Sequence, residues 1–322
     1  MTRPKTFLLP LTRHAPLNAQ LLQAAARPAT APHRRVVFRI ARAADTPVAE
    51  TLAVDALRDS HATLFDGSDF VVDFSKQTEL REAMDGCDGV VLSTGLTDAN
   101  AFETERNMID AAKDTKSVRD VLKVSCAQGF LGEKSGVPIG AQHWFLEQRV
   151  KDAAFDGIVR FVRPTTMMDA FLQGKLYDMI CGRSLSVSVK NGKVALVHPT
   201  DVAEVLSVLL TKPANAMGIP EQYALTGPEA LSFQEIANQL SAGIGERVTY
   251  SHFPLWAVQP SMWIRGERPE AITNEIQTAK AIEAGAEDHV TTTVEDVLGS
   301  QPRSLRQFIQ ENADAWPLRS YK

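Results

Sequence analysis

The chain of 322 residues reads as an α/β protein: a doubly wound, mostly parallel sheet followed by a smaller, mixed C-terminal portion. Two observations predict this. Through the first half, short apolar runs suited to buried strands alternate with segments of helical spacing, the pattern of strand–crossover–strand units. In the second half that alternation gives way to hairpin-like and capping signals and a stretch dense in aromatic residues and proline. The composition, 44% apolar and 23% charged, is that of an ordinary globular chain.

In chain order, Thr6–Leu9 is a first strand and Leu17–Ala25 a helix. Val36–Ile40 is a second strand, and Phe70–Asp73 a third that leads into a helix over Gln77–Met84. Gly89–Ser93 and Val121–Ser125 are the fourth and fifth strands, separated by a helix over Ala101–Lys113. A helix over Ala141–Ala153 then precedes a sixth strand, Ile158–Val162. Farther on, Leu185–Val189 and Lys193–Val197 flank Lys190-Asn191-Gly192, a hairpin signal. Thr200 and Asp201 are caps for a helix over Val202–Leu210. Ser232 with Glu235 forms a capping box for a helix reaching Gly243, and Val248-Thr249-Tyr250 returns as a strand. Residues 1–165 are expected to form the sheet domain, with 166–322 a substrate-binding portion packed on it as one compact unit.

The net charge of −5 argues against a nucleic-acid partner or an anionic membrane surface. No run approaches the roughly 20 apolar residues of a membrane span, and Phe7-Leu8-Leu9-Pro10-Leu11 is too short for a signal segment. Three scattered cysteines, Cys87, Cys126 and Cys181, give no metal spacing and point to a reducing compartment, hence a cytoplasmic location.

Ligands of such sheets lie beyond the carboxyl ends of the strands, and a dinucleotide site needs glycines after the first strand, where backbone approaches the pyrophosphate. Here that loop is Pro10-Leu11-Thr12-Arg13-His14-Ala15-Pro16-Leu17-Asn18, without a glycine. Two readings stay open: a remnant that no longer holds a cofactor, or a loop in which Thr12, Arg13 and His14 offer side-chain donors to an anion. Arg42, just past the second strand, stands where the 2′-phosphate of NADP is read, or is simply solvated there. Asp73, at the end of the third strand, and Gly95, after the fourth, complete the candidate cofactor residues.

Ser125 and Gln128, in the loop after the fifth strand, are candidates to hydrogen-bond a substrate carbonyl or amide; ordinary loop polarity is the alternative. His143 and Glu147 lie four apart and share a helix face. His143 is the candidate general acid–base, since an imidazole ordinarily titrates near neutrality, whereas Glu147 reads as half of a surface pair. Cys126 reads as a plain buried cysteine and Asp201 as a helix cap. Met167, Met168, Phe171, Phe253, Trp256 and Trp263 are candidates to line the site of a bulky hydrophobic ligand, with core packing as the alternative. Pro254 and Pro260 argue against a regular helix around Trp256 and favour an apolar lid.

Several stretches carry a resemblance: Asp73-Phe74-Ser75 with Leu80-Arg81-Glu82-Ala83-Met84-Asp85-Gly86, His143-Trp144-Phe145-Leu146-Glu147, and Val162-Arg163-Pro164 through Phe171. Pro199-Thr200-Asp201-Val202-Ala203 and Leu225-Thr226-Gly227-Pro228 continue it. In this order they resemble the NmrA-like, atypical short-chain dehydrogenase/reductase family. The closing Gly285-Ala286-Glu287 and Pro302-Arg303-Ser304-Leu305 look like the fungal festuclavine and agroclavine dehydrogenases within it. The resemblance implies a Rossmann-like domain holding NADP(H) and a cleft for a hydrophobic small molecule. It also implies an NADPH-dependent reduction of a secondary-metabolite intermediate such as an imine, iminium or enone. The chain departs from the pattern of ordinary short-chain dehydrogenases twice, in the glycine-free loop and in the absence of Tyr-x-x-x-Lys at Tyr177, Tyr223, Tyr250 or Tyr321. The first departure keeps two other functions open: a cofactor-independent cyclase, isomerase or pericyclase in the same cleft, and a regulatory nucleotide-sensing module.

Overall fold

The computed structural model describes residues 4–11, 16–26, 36–43, 65–94, 100–211 and 221–317. It divides into two compact units. The first comprises Met1–Ser125, Gln142–Val162 and Ala203–Tyr223; the second comprises Cys126–Ala141, Arg163–Val202 and Ala224–Lys322.

The first unit is organised on the strands β1 (Lys5–Leu11), β2 (Val36–Arg42), β3 (Phe65–Val71), β4 (Gly89–Leu92), β5 (Asp120–Val124), β6 (Val159–Pro164) and β9 (Gln222–Leu225). They form one seven-stranded sheet in the order β3-β2-β1-β4-β5-β6-β9, the last two strands running on into the second unit. The pairs from β3 to β6 are parallel. The sequence expectation of a doubly wound parallel sheet is met. Val90, Val91 and Leu92 of β4 are wholly buried, as expected of a central strand covered on both faces. Gly89 is where strands crowd: a Cβ there would stand 2.4 Å from the Phe7 ring and 2.6 Å from the Asp120 carbonyl.

Helices α1 (Pro16–Ala26), α2 (Gln77–Met84), α3 (Ala101–Asp114) and α4 (Pro138–Asp152) follow the alternation read from the sequence. Leu80, Ala83 and Met84 of α2 and Met108, Ile109, Ala111 and Ala112 of α3 pack into one core with Val90, Leu92 and Val121 of the sheet. On α4 the buried stripe is His143, Leu146, Glu147 and Val150, one helical face. The surface-pair expectation for Glu147 therefore fails: the apolar Leu146 and Val150 carry both polar neighbours inward.

In the second unit, β7 (Ser184–Val187) runs parallel to β11 (Thr249–His252), and β8 (Lys193–Val194) runs antiparallel to β10 (Leu231–Ser232). The hairpin expected around Lys190-Asn191-Gly192 does not form. The Glu283 carboxylate accepts the backbone N–H groups of Lys190 at 2.6 Å, Asn191 at 3.1 Å and Gly192 at 3.3 Å, so the loop curls around an anion instead of pairing its flanks.

In chain order α5 (Gly174–Cys181) precedes these strands, α6 (Pro199–Thr211, running on into the first unit) and α7 (Phe233–Ile244) lie between them, and α8 (Leu255–Ile264), α9 (Pro269–Glu283), α10 (Thr293–Leu298) and α11 (Leu305–Glu311) follow. The capping box of Ser232 and Glu235 opens α7 as expected. Asp201 is not a cap. α6 begins two residues earlier, at Pro199, and the Asp201 carboxylate accepts the backbone N–H of Arg303 at 2.7 Å and pairs with its guanidinium. His198 takes the capping role, its Nδ1 accepting the Thr200 N–H at 3.2 Å. The expectation of no regular helix near Trp256 is also corrected. Pro254 precedes the first turn of α8, where no N–H is needed, and Pro260 removes one bond on an exposed face.

Candidate functional site

The strand order reverses between β1 and β4, so the crevice of the sheet opens beyond Leu11 and Leu92. Thr12, Arg13, His14 and Gly95 lie outside the described residues. Arg42 closes β2, in register with Leu11 of β1 on one side and Val71 of β3 on the other, and is half-buried. Asp73 lies two residues past β3 and is exposed. Its carboxylate accepts the Ser75 hydroxyl at 2.7 Å and the Ser75 N–H at 3.0 Å, and these bonds hold it below the usual carboxylate range. Asp73 thus shapes the turn into α2.

Behind the strand ends lies a buried charged network. Lys123 of β5 and Glu105 of α3, 0% and 1% exposed, pair at 2.5 Å. Glu105 also accepts the Thr94 hydroxyl at 2.9 Å and the Thr94 N–H at 3.1 Å, which ties the exit of β4 to the pair. The Lys123 ammonium lies 3.1 Å from His143 Nδ1. An ammonium has only protons to give, so Nδ1 accepts and the ring proton resides on Nε2. Burial, reinforced by the Lys123 charge, holds His143 well below its ordinary range. The premise that made His143 an acid–base candidate, a ring titrating near neutrality, is therefore replaced by a neutral imidazole of fixed tautomer, a hydrogen-bond donor at Nε2.

Ser125 follows β5 by one residue and shares the Lys123 face of the strand by two-residue alternation. It is buried, and among the described residues its hydroxyl has no hydrogen-bond partner. That is the state of a group left for a ligand or an ordered water.

In the second unit, Gln128 is exposed and its carbonyl oxygen accepts from the buried Arg163 guanidinium. Met167 is half-buried and bridges to Val197 through backbone, while Met168 and Phe171 are enclosed in the apolar core. Phe253 packs partly buried against Val258, Met262 and Ile272. Trp256 and Trp263 are 80% and 75% exposed. Glu287, buried, accepts the Thr166 N–H at 2.8 Å and the Thr166 hydroxyl at 2.7 Å; burial pushes its carboxyl up to about 7 despite those bonds. The three cysteines are buried and none is in a disulfide, and burial pushes Cys87 up to about 11. Among the described residues no cluster of three His, Cys, Asp or Glu side chains could hold a metal, and no helix is long and apolar enough to cross a membrane.

Sequence reasoning singles out Ser125, just after β5, and His143 on α4, whose ring lies against Lys123 of β5, but misses Lys123, Glu105 and Glu287. Lys123 had a signal: a lone cation inside the apolar run Val121-Leu122-Lys123-Val124 demands a buried counter-charge.

The chain is 25% identical over 210 residues to agroclavine dehydrogenase of Claviceps fusiformis, covering 64% of this chain and 70% of that protein. It is 26% identical over 250 residues to a (4-alkanoyl-5-oxo-2,5-dihydrofuran-3-yl)methyl phosphate reductase of Streptomyces griseus, covering 76% of this chain and 82% of that one. Among solved structures, an NADPH-dependent quinone oxidoreductase of Escherichia coli complexed with NADPH superposes with a TM-score of 0.71 at 15% identity. That match covers 95% of this chain and 98% of the other, and shows a shared fold. The NmrA-like family pattern matches residues 24–311. The chain belongs to the NmrA-like family.

Proposed function

We propose that the chain is an NADPH-dependent reductase of a hydrophobic small molecule with a polarised C=N or conjugated C=C bond. The observation that carries this reading is the position of Arg42, at the end of β2 and beside the last residue of β1. From there a guanidinium takes a ribose 2′-phosphate by forked hydrogen bonds. The described residues fit a dinucleotide: the strand order opens a crevice between β1 and β4, Arg42 flanks it, and the Ser125 hydroxyl is left without a partner after β5. The names of the reductase and dehydrogenase relatives support the same class of chemistry.

When bound, the nicotinamide supplies a hydride. Everything else falls to the protein. Arg42 selects the phosphorylated nucleotide. The Ser125 hydroxyl donates a hydrogen bond to the substrate heteroatom on which charge develops. Lys123, two residues before it, is clamped by Glu105 and His143, so the strand presenting Ser125 is rigid. His143 acts as a neutral donor, without a change of charge.

The test is a titration with NADPH and NADH by calorimetry, followed by NADPH consumption on iminium and enone substrates. Micromolar NADPH binding is expected. Arg42→Ala should weaken NADPH about tenfold to a hundredfold, the worth of one charged hydrogen-bonded pair, and leave NADH unchanged. The glycine-free run from Pro10 to Asn18 favours a second reading, a cofactor-independent cyclase, isomerase or pericyclase working by shape and by hydrogen-bond donors. If neither nucleotide binds, the reductase falls and this reading stands.

A further inference from the structure

Helix α8 is apolar on two opposite faces, with Gln259 and Ser261 at their margins. Val258 and Met262 face inward against Ile272 of α9, with Phe253, Leu255 and Ile276 around them. Trp256, Pro260, Trp263 and Ile264 recur at the spacing of a single opposite stripe, and all four are exposed; Trp256 is 80%, Trp263 75% and Ile264 84% exposed. A helix of this kind is ordinarily covered on both faces, and a contiguous apolar patch rimmed by polar groups marks an association surface. We infer that this stripe is the two-fold contact of a homodimer, α8 of one copy lying on α8 of the other.

Area and charge favour a second copy over other occupants. Two tryptophans and an isoleucine at these exposures present about 500 Å² of apolar side chain. A two-fold contact buries the same patch twice, about 1,000 Å², and with Gln259 and Pro260 it approaches the ~1,200 Å² of the smallest specific interfaces. The rim next to the stripe carries Arg265, Glu267, Arg268 and Glu270, all exposed. The two cations and two anions sum to zero and alternate along the chain. A self-pairing surface with a rim of zero net charge therefore gathers no excess of like charge when a second copy approaches. An anionic lipid surface or an acidic partner would call for a net basic rim, which is absent here.

The experiment is sedimentation velocity on the full chain across a wide concentration range, with acrylamide quenching of tryptophan fluorescence in parallel. Trp316 is buried and Trp144 half-buried, so Trp256 and Trp263 dominate the quenchable signal. The expected result is a species of twice the chain mass whose formation lowers quenching. Trp256→Glu or Trp263→Glu should each raise the dimer dissociation constant about thirtyfold or more, as for central aromatic contacts, with the far-ultraviolet spectrum unchanged and the melting temperature no longer rising with protein concentration. Should a glutamate variant fold poorly, Trp263→Gln serves in its place, with the same expectation. A chain that stays monomeric at every concentration overturns the inference. So does a dimer indifferent to both tryptophans, or a monomer that floats with phosphatidylserine-containing vesicles.

Discussion

Glu287 makes the pH dependence of stability calculable. In the unfolded chain its carboxyl ionises near 4.5; in the fold, burial pushes it up to about 7. Between those values the folded protein keeps a proton that the unfolded chain has released. The folded state then binds more protons, so stability falls as pH rises through the window and is flat on either side. At about 1.4 kcal/mol per pH unit, the full window removes about 3 kcal/mol. Glu287→Gln is the informative perturbation. The amide mimics the protonated acid: its oxygen still accepts the Thr166 N–H, and its NH2 donates to the Thr166 hydroxyl, which reverses its role. Every other titrating group is common to both proteins and cancels in the difference. Urea denaturation of wild type and variant, from pH 4 to pH 8.5, should give curves that coincide in acid and separate with rising pH. The variant should end about 3 kcal/mol more stable, or roughly 4 °C higher in melting temperature for a chain of this length. A difference that is independent of pH, or that first opens above pH 7, refutes the reasoning.

Other consequences follow from the same kind of accounting. Lys123→Met strands the buried Glu105 carboxylate and should cost about 3–5 kcal/mol; adding Glu105→Gln should restore most of it, and an additive double variant in chemical denaturation would disprove the coupling. His143 has the opposite sign to Glu287. Its folded-state value is depressed by burial and by Lys123, so its contribution is full above pH 6.5 and is lost as pH falls below it. Nitrogen NMR should show a neutral ring protonated at Nε2 throughout the neutral range, and His143→Gln should flatten the acid limb of the stability curve. Gly129→Ala would place a Cβ 2.1 Å from the Ala286 carbonyl oxygen; the forced displacement should cost about 1–3 kcal/mol in thermal melts.

Where the sequence was readable, the reason was periodicity. The helix over Gln77–Met84 has the same bounds in both, and the first six strands were located with ends shifted by a few residues, because a parallel sheet covered on both faces leaves continuous apolar runs. The failures share a different cause. Lys190-Asn191-Gly192 has the local chemistry of a hairpin, but Glu283, ninety-odd residues later in the chain, captures its amides. Asp201 has the local chemistry of a cap, but Arg303 claims it. In each case a charged group far away in sequence outbid a weak local preference.

The candidate site obeys the same rule, which explains why its chemistry was harder to read than its position. Ser125 and His143 could be placed from strand and helix order alone. What each can do depends on partners that only folding supplies. Free in solution, an imidazole is an acid–base group; beside the Lys123 ammonium, with Glu105 behind it, the same ring becomes an uncharged donor of fixed tautomer. Glu287 moves the other way, from an ordinary carboxylate to a group that exchanges its proton near neutrality. Hence burial depresses the residue whose type suggests titration near neutrality, and raises a buried glutamate with two threonine bonds toward that range. Any assignment of the proton donor in this chain must therefore begin from burial and counter-charge as well as from residue type.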